Sequence, residues 1–467
     1  MDTSLESRFE QYCDLLVSAL HHEDRGQPAR WYMKALMLPG GRKSIEPMAA
    51  RVHPENVRSA HQSMHHLVAA SEWSDEAMLT AVANAVLPAL TRGDEPCAWI
   101  IDDTGMPKKG VLSVGVARQY CGQLGKTDNC RVAVSLSIAT KAGSLPLGYR
   151  LYLPKEWTDD PARCKDAGVP ESVEFATKGE IARTQIDAAL KAGIAQGPVL
   201  ADAAYGDETA FREWLGERHL VYALGVRPAT TVWWGEHQPV TNPPVGSRGK
   251  TRTHLVRDAS HQPISVKALA EALPPRRFRT VTWREGTSTA LSSRFARVRV
   301  RAAHRDTPHE EEWLVIEWPH NETQPTRYWM STLPPNITFK DLVNTIKARW
   351  RIERNYQDLK QEFGLGHYEG RNWRGFHHHA TLCIAAYGFL MRERLTNPKK
   401  NATGFKAPTV PEGFRPRGAG PDATSRTGFD YDTPLSARTR HRSNAGFVSV
   451  FVLRQNLSKG NAYLITQ

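Results

Sequence analysis

The chain has 467 residues, with 61 Lys and Arg against 49 Asp and Glu for a formal net charge of +12, and 40% of its residues are hydrophobic. That length suits two or three domains around a large core, and the composition excludes a disordered or collagen-like chain. The longest apolar run, Leu382 to Met391, is far below the ~20 residues that span a bilayer. MDTSLESRFEQ at the N-terminus carries no basic-then-apolar signal. Six cysteines without a C-x-x-C pair read as reduced thiols of a cytoplasmic protein, so no structural zinc is expected.

The charge is unevenly spread: residues 1–240 hold 25 Lys and Arg against 30 Asp and Glu, whereas residues 241–467 hold 36 against 19. A basic half attracts a polyanion, most simply nucleic acid, although a solvated basic face has the same composition.

Residues 1–92 read as a helical domain, with FEQYCDLLVSAL and DEAMLTAVANAVLPAL placing apolar residues at three- and four-residue spacing. Between them, GRKSIEPMAARV and HPENVRSAHQSMHHLV predict two short helices joined by a turn. The pattern fits a DNA-reading helix-turn-helix and a plain helical bundle equally. From residue 93 to 226 the pattern alternates: CAWIIDD, SVGVARQY, CRVAVSLSIAT and GYRLYLP read as strands, GMPKKG as a loop, and Gly179 to Ala195 as an amphipathic helix. A short strand, VLADAAYG, then ends at Asp202, with a helix over Thr209 to Arg218 and a strand in HLVYALGV. This order predicts a mixed sheet in an α/β layer architecture.

Residues 227–335 begin as a Pro/Gly/Thr/Arg-rich linker up to about 275 and continue as a β-rich insertion (RFRTVTWREGT, RFARVRVRAA, EEWLVIEWP, RYWMSTLP). Residues 336–397 turn helical, first over Phe339 to Phe363 and again from His377 to Leu395. Residues 398–467 form a basic, irregular tail that reads either as a flexible DNA-binding arm or as a degenerate end of the reading frame.

Three acidic positions arrive in the order strand, strand, helix: Asp102 with its neighbour Asp103, then Asp202, then Glu353. Carboxylates at rigid strand ends beside a helical glutamate suit two hard cations ~3.5–4 Å apart, the chemistry of phosphodiester cleavage. A lone Asp at a strand end is more often a turn or helix cap. On a helix Arg349, Glu353 and Lys360 share one face, either as a carboxylate flanked by phosphate-holding cations or as surface salt bridges. Trp283, Trp313 and Trp318 in the insertion are candidates to stack on an unpaired base or to fill the sheet core.

Taken together, IIDDTGMPKKG with SVGVARQYCGQLGKTDNCRVAVSL, VLADAAYGD, and RWRIERNYQDLKQEFGLGHYEGRNWRGFHHHATL resemble a bacterial insertion-sequence transposase of the DDE class over residues 95 to 395. The resemblance implies an RNase H-like mixed sheet flanked by helices, with a β-rich insertion before the glutamate. It implies Asp102, with Asp103 as the close alternative, Asp202 and Glu353 as catalytic metal ligands for two Mg²⁺ ions, with Mn²⁺ substituting. Arg349 and Lys360 match the family's Tyr, Arg, Glu, Lys signature as DNA-binding residues, while its tyrosine is Ile346 here. The expected partners are double-stranded DNA, at element ends and target, and a second copy of the chain in a dimer or larger synapse. The resemblance gives no role to a membrane or nucleotide cofactor, and it points to a bacterial cytoplasmic location, on the nucleoid when DNA is bound. A transposase-derived DNA binder that no longer cuts and an RNase H-like nuclease are the alternatives.

Gly125-Lys126-Thr127 resembles the end of a phosphate loop, but Tyr120 stands where the earlier glycine belongs. The run His377-His378-His379 lacks a second cluster at zinc spacing, so hydrogen bonding near a helix start is its expected role. No G-x-S-x-G elbow is present.

Overall fold

The computed structural model describes residues 4–39, 42–93, 97–235, 261–284, 291–304 and 309–396. The tail over residues 398–467 lies outside them. Five helices come first: α1 (Leu5–Val17), α2 (Gly26–Met37), α3 (Ile45–Val52), α4 (Val57–Ala69) and α5 (Asp75–Leu90). Ser4, Asn56 and Ser74 cap α1, α4 and α5 by accepting the N–H three residues on, which satisfies one orphan donor of each first turn. α3 and α4 are the two short helices of the possible DNA-reading motif, and α4 buries Ala60, Met64, Leu67 and Val68.

The sheet begins with β1 (Ala98–Pro107), β2 (Ala117–Cys121), β3 (Lys126–Ala139) and β4 (Ser144–Leu151). After α6 (Lys155–Thr158), α7 (Pro161–Asp166) and α8 (Lys178–Lys191) come β5 (Val199–Ala201), α9 (Ala203–Gly206), α10 (Thr209–Glu217) and β6 (Tyr222–Val226). β1 pairs antiparallel with β3, which also pairs antiparallel with β2 and β4, and on its other side β1 runs parallel to β5 and then β6. This mixed order, with helices on both faces, is the RNase H-like arrangement. β1 is longer than the sequence pattern indicates. Gly105 to Pro107, read as the start of a loop, keep pairing with β3 as far as Cys130.

The chain continues through β7 (Thr231–Trp233), β8 (Ile264–Ser265), α11 (Val266–Ala272), β9 (Arg279–Arg284), β10 (Leu291–Ala302), β11 (Glu311–Trp318) and β12 (Arg327–Ser331). The stretch expected to be a linker thus contains a helix and two short strands. β12 pairs antiparallel with β6, so these strands extend the same sheet. Alternation along β10 buries Ala296, Val298, Val300 and Ala302 with Leu314 and Ile316 of β11 in a second core beneath α11.

The last helices are α12 (Phe339–Lys347), α13 (Trp350–Gln361) and α14 (Trp373–Thr396). α14 is buried along nearly its whole length, as a helix apolar on every side must be. It packs against α2, α4, α5 and β4, so the N-terminal helices and the sheet share one continuous core. The histidine run lies in this seam. The His377 Nε2 accepts the Leu151 N–H at 3.2 Å, and the Tyr32 hydroxyl meets His379 Nδ1 at 2.8 Å while His379 Nε2 donates to the Gly364 carbonyl at 2.9 Å. Burial pushes both imidazoles down to about 4, so they are neutral polar bolts between layers.

Candidate active site

β1 and β5 set the two aspartates side by side. Their register pairs Trp99 with Val199 and Ile100 with Leu200, and continuing it by two residues brings Asp102 level with Asp202. Asp202 follows the last residue of β5 and caps α9, accepting the Ala204 N–H at 2.9 Å. It is both a helix cap and a neighbour of Asp102.

Strand alternation sends Asp102 and Asp103 to opposite faces of the sheet. Asp103 points toward α8 and α9, where the Lys178 ammonium and the Tyr205 hydroxyl each donate to it at 2.5 Å. Lys178 is held there by a capping box: the Thr177 hydroxyl accepts the Glu180 N–H and the Glu180 carboxylate accepts the Thr177 N–H. Asp102 points the other way, toward α13, and accepts from Arg349 Nη1 at 2.8 Å.

The glutamate segment is not one continuous helix. α12 ends at Lys347, and α13 begins at Trp350 with Arg349 at its N-cap position. At this break Arg349 donates to Asp102 on β1. Burial works against the guanidinium's charge, yet Asp102, Asp202 and Glu353 together hold its pKa above the ordinary arginine value. One cation therefore sits in the field of all three acids. Glu353 occupies the first turn of α13 and is exposed, where the helix N-terminus favours an anion. Lys360, half-buried on the same helix, has its pKa lowered by burial, with Asp102 pulling the other way. Ile346 is buried in α12, so the position of the family tyrosine faces the core.

Burial raises the Asp102 pKa to about 6, Arg349 opposes the shift, and Asp202 and Asp103 add to it. The nearby Tyr205 phenol is pushed well above its usual value by burial and then by Asp103. Sequence reasoning missed Tyr205 and Lys178. The only signal for Tyr205 was its place three residues after Asp202, and Lys178 lies in a helix start that spacing links to neither aspartate.

The tryptophans of the insertion are already engaged. The Arg297 and Arg299 guanidinium groups lie 4.5 and 4.9 Å from the Trp313 ring, Arg294 lies 4.0 Å from Trp318, and the Lys347 ammonium lies 4.5 Å from Trp283. Gly125 closes the β2–β3 turn with the left-handed φ of 66° that glycine tolerates, and Lys126 and Thr127 open β3.

The donor set of Asp102, Asp202 and Glu353 is oxygen only, the chemistry that hard divalent cations such as Mg²⁺ and Mn²⁺ prefer. The arginine among these acids marks a place where positive charge is stabilised. Among the described residues no helix is long and apolar enough to cross a membrane.

The chain is similar to a protein of Microchaete diplosiphon described as a probable transposase for insertion sequence element IS701. The two are 26% identical over 328 residues, which cover 69% of this chain and 71% of the relative. The model of the DDE superfamily endonuclease family matches residues 15–290, a span that includes Asp102 and Asp202 and ends before Glu353. With more than half of its length matched in this way, the chain belongs to the DDE superfamily endonuclease family.

Proposed function

We propose that the protein is a DNA transposase that binds the ends of an insertion sequence, cuts phosphodiester bonds there and joins the freed 3′-hydroxyls to target DNA. The observation that carries this reading is the contact of Arg349 with Asp102, which ties the glutamate helix to the strand pair bearing both aspartates. In it Asp102, Asp202 and Glu353 are the catalytic ligands of two Mg²⁺ ions, or of Mn²⁺ in their place. When bound, these ions supply activation of the attacking water or 3′-hydroxyl and stabilisation of the departing oxygen.

In the free protein Arg349 offsets the mutual repulsion of the acids. With DNA bound, its donors and the Lys360 ammonium face the backbone phosphates, as expected of cations beside a carboxylate site. Lys178 and Tyr205 grip Asp103 and so fix the rotation of β1, which determines where Asp102 points. Residues 93–226 and 336–397 form the catalytic core in this reading, 227–335 the insertion that carries arginines toward DNA, and 1–92 a helical, DNA-contacting unit. Two copies or more bring two DNA ends together, and the protein works in the bacterial cytoplasm on nucleoid DNA.

The test is a plasmid carrying the DNA that flanks this reading frame, incubated with purified protein and Mg²⁺. Excision of the segment and its appearance in a second plasmid support the proposal. Cutting without joining favours a nuclease, and binding without cutting favours a regulator.

A further inference from the structure

A second group of ligand-type side chains lies away from the three acids. We propose that Glu213, His304 and His309 form a site for a borderline divalent metal of the zinc class, which clamps the hairpin between β10 and β11 to α10. One ligand atom from each of the three lies within 4.8 Å of the others. Glu213 Oε1 is 3.6 Å from His304 Nε2, and the two imidazole rings are 4.1 Å apart. Zinc binds nitrogen and carboxylate oxygen at about 2.0–2.2 Å, which puts neighbouring tetrahedral ligands roughly 3.3 Å from one another. The ligand atoms, all within 4.8 Å of one another, would have to draw in by up to roughly 1.5 Å to reach that spacing.

Proton positions favour the role for His309. Its Nε2 lies 3.0 Å from the His304 carbonyl oxygen, which can only accept, so the neutral ring keeps its lone pair on Nδ1. A histidine that gives its second N–H to a backbone carbonyl is oriented as metal-bound histidines are. Two imidazoles with one carboxylate select zinc-class ions over Mg²⁺ or Ca²⁺, which prefer oxygen. The metal hypothesis for this cluster is therefore chemically distinct from the one for the aspartates.

One contact opposes it. His304 Nδ1 accepts from Arg212 Nη2 at 3.2 Å, which puts the His304 proton on Nε2, toward Glu213. Metal at Nε2 requires that proton to move to Nδ1 and Arg212 to turn away. The arginine has somewhere to go, because it also donates to the Gly206 carbonyl and feels the buried Glu312 carboxylate. The site sits at a junction that matters for the proposed chemistry: α10 follows α9, which Asp202 caps, and the hairpin belongs to the extended sheet. A metal here would hold the insertion against the element that carries the second aspartate.

The test uses full-length protein stripped with a chelator, titrated with Zn²⁺ in excess Mg²⁺ and then with Co²⁺. The expected result is one Zn²⁺ that Mg²⁺ does not displace, visible bands of tetrahedral Co²⁺, and a higher Tm with metal. In Glu213→Gln and in His309→Gln, with circular dichroism unchanged, affinity falls by at least about tenfold, whereas Asp102→Ala leaves it intact. No tight Zn²⁺ in the parent protein, or equal binding in both variants, overturns the proposal.

Discussion

Arg349 reaches across 247 residues of sequence to donate to Asp102 at 2.8 Å, and the helix carrying Glu353 starts one residue later. The same side chain answers to Asp202 and Glu353 through their charges. Substituting Arg349→Met removes a cation that all three acids share. Without divalent metal, the variant is expected to lose about 1–3 kcal/mol of stability, because a half-buried carboxylate loses its charged donor. Added Mg²⁺ should restore a larger part of Tm in the variant than it adds to the parent, since metal and guanidinium neutralise the same acids. Thermal melts with and without Mg²⁺ check this, and an equal Mg²⁺ effect in both proteins would contradict it.

The adjacent aspartates should behave differently. Asp102→Asn is expected to abolish cleavage and to change melting less than Asp103→Asn, because the weaker bond from Arg349 is offset by relief of the burial cost and of the repulsion from Asp202 and Asp103. Asp103→Asn loses the charge-assisted bonds from Lys178 and Tyr205 and should cost roughly 1.5–3 kcal/mol for the weaker acceptor, while keeping measurable cleavage. Melting curves and cleavage rates read side by side distinguish the two. The reverse pattern would make Asp103 the ligand.

Gly206 limits what can follow the second aspartate. A Cβ there would run into the Gly225 carbonyl oxygen of β6, and backbone cannot yield as a flexible side chain does. Gly206→Ala is predicted to destabilise by at least about 1–3 kcal/mol and to lower activity by displacing the α9 start that Asp202 caps. Chemical denaturation measures the first effect. A stable, fully active variant would refute the close approach.

Glu312 provides a pH signature. It is buried, takes the Tyr222 hydroxyl at 2.9 Å, and burial raises its pKa from 4.5 to about 7. Between those values the folded protein holds a proton that the unfolded chain releases, so stability rises as pH falls through about 7, and the gain is complete below 4.5. Glu312→Gln, neutral throughout, should be more stable than the parent above that window and show a flatter dependence within it. Urea denaturation across the range tests the sign.

Much of the fold was legible in local pattern, and the reasons for the exceptions are physical. Apolar runs placed β1, β3, β5 and β6, and the acid at the end of each proposed catalytic strand was visible in VLAD and IIDD. The end of β1 was hidden because Gly105 and Pro107 look like loop residues. They remain in the strand because β3 is long enough to pair with them, and Gly105 leaves room for Cys121 beside it. The break before α13 was hidden for the opposite reason: IKARWRIE has helical character throughout, and the contact of Arg349 with Asp102 is formed only in the folded chain. The pairing of Glu213 with His304 and His309 was illegible because 90 residues and several elements separate the carboxylate from the first imidazole, with no Cys or His spacing to link them.

In the proposed function Asp102, Asp202 and Glu353 act together on DNA with a divalent metal. Its most direct test is Mg²⁺-dependent nicking of the DNA ends that flank the reading frame, measured with binding to the same DNA for the parent, Asp102→Ala, Asp202→Ala and Glu353→Ala. The account predicts that the parent nicks only with Mg²⁺ or Mn²⁺, and that each variant still binds the ends but leaves them uncut. Full nicking by the Asp202 or Glu353 variant would contradict it.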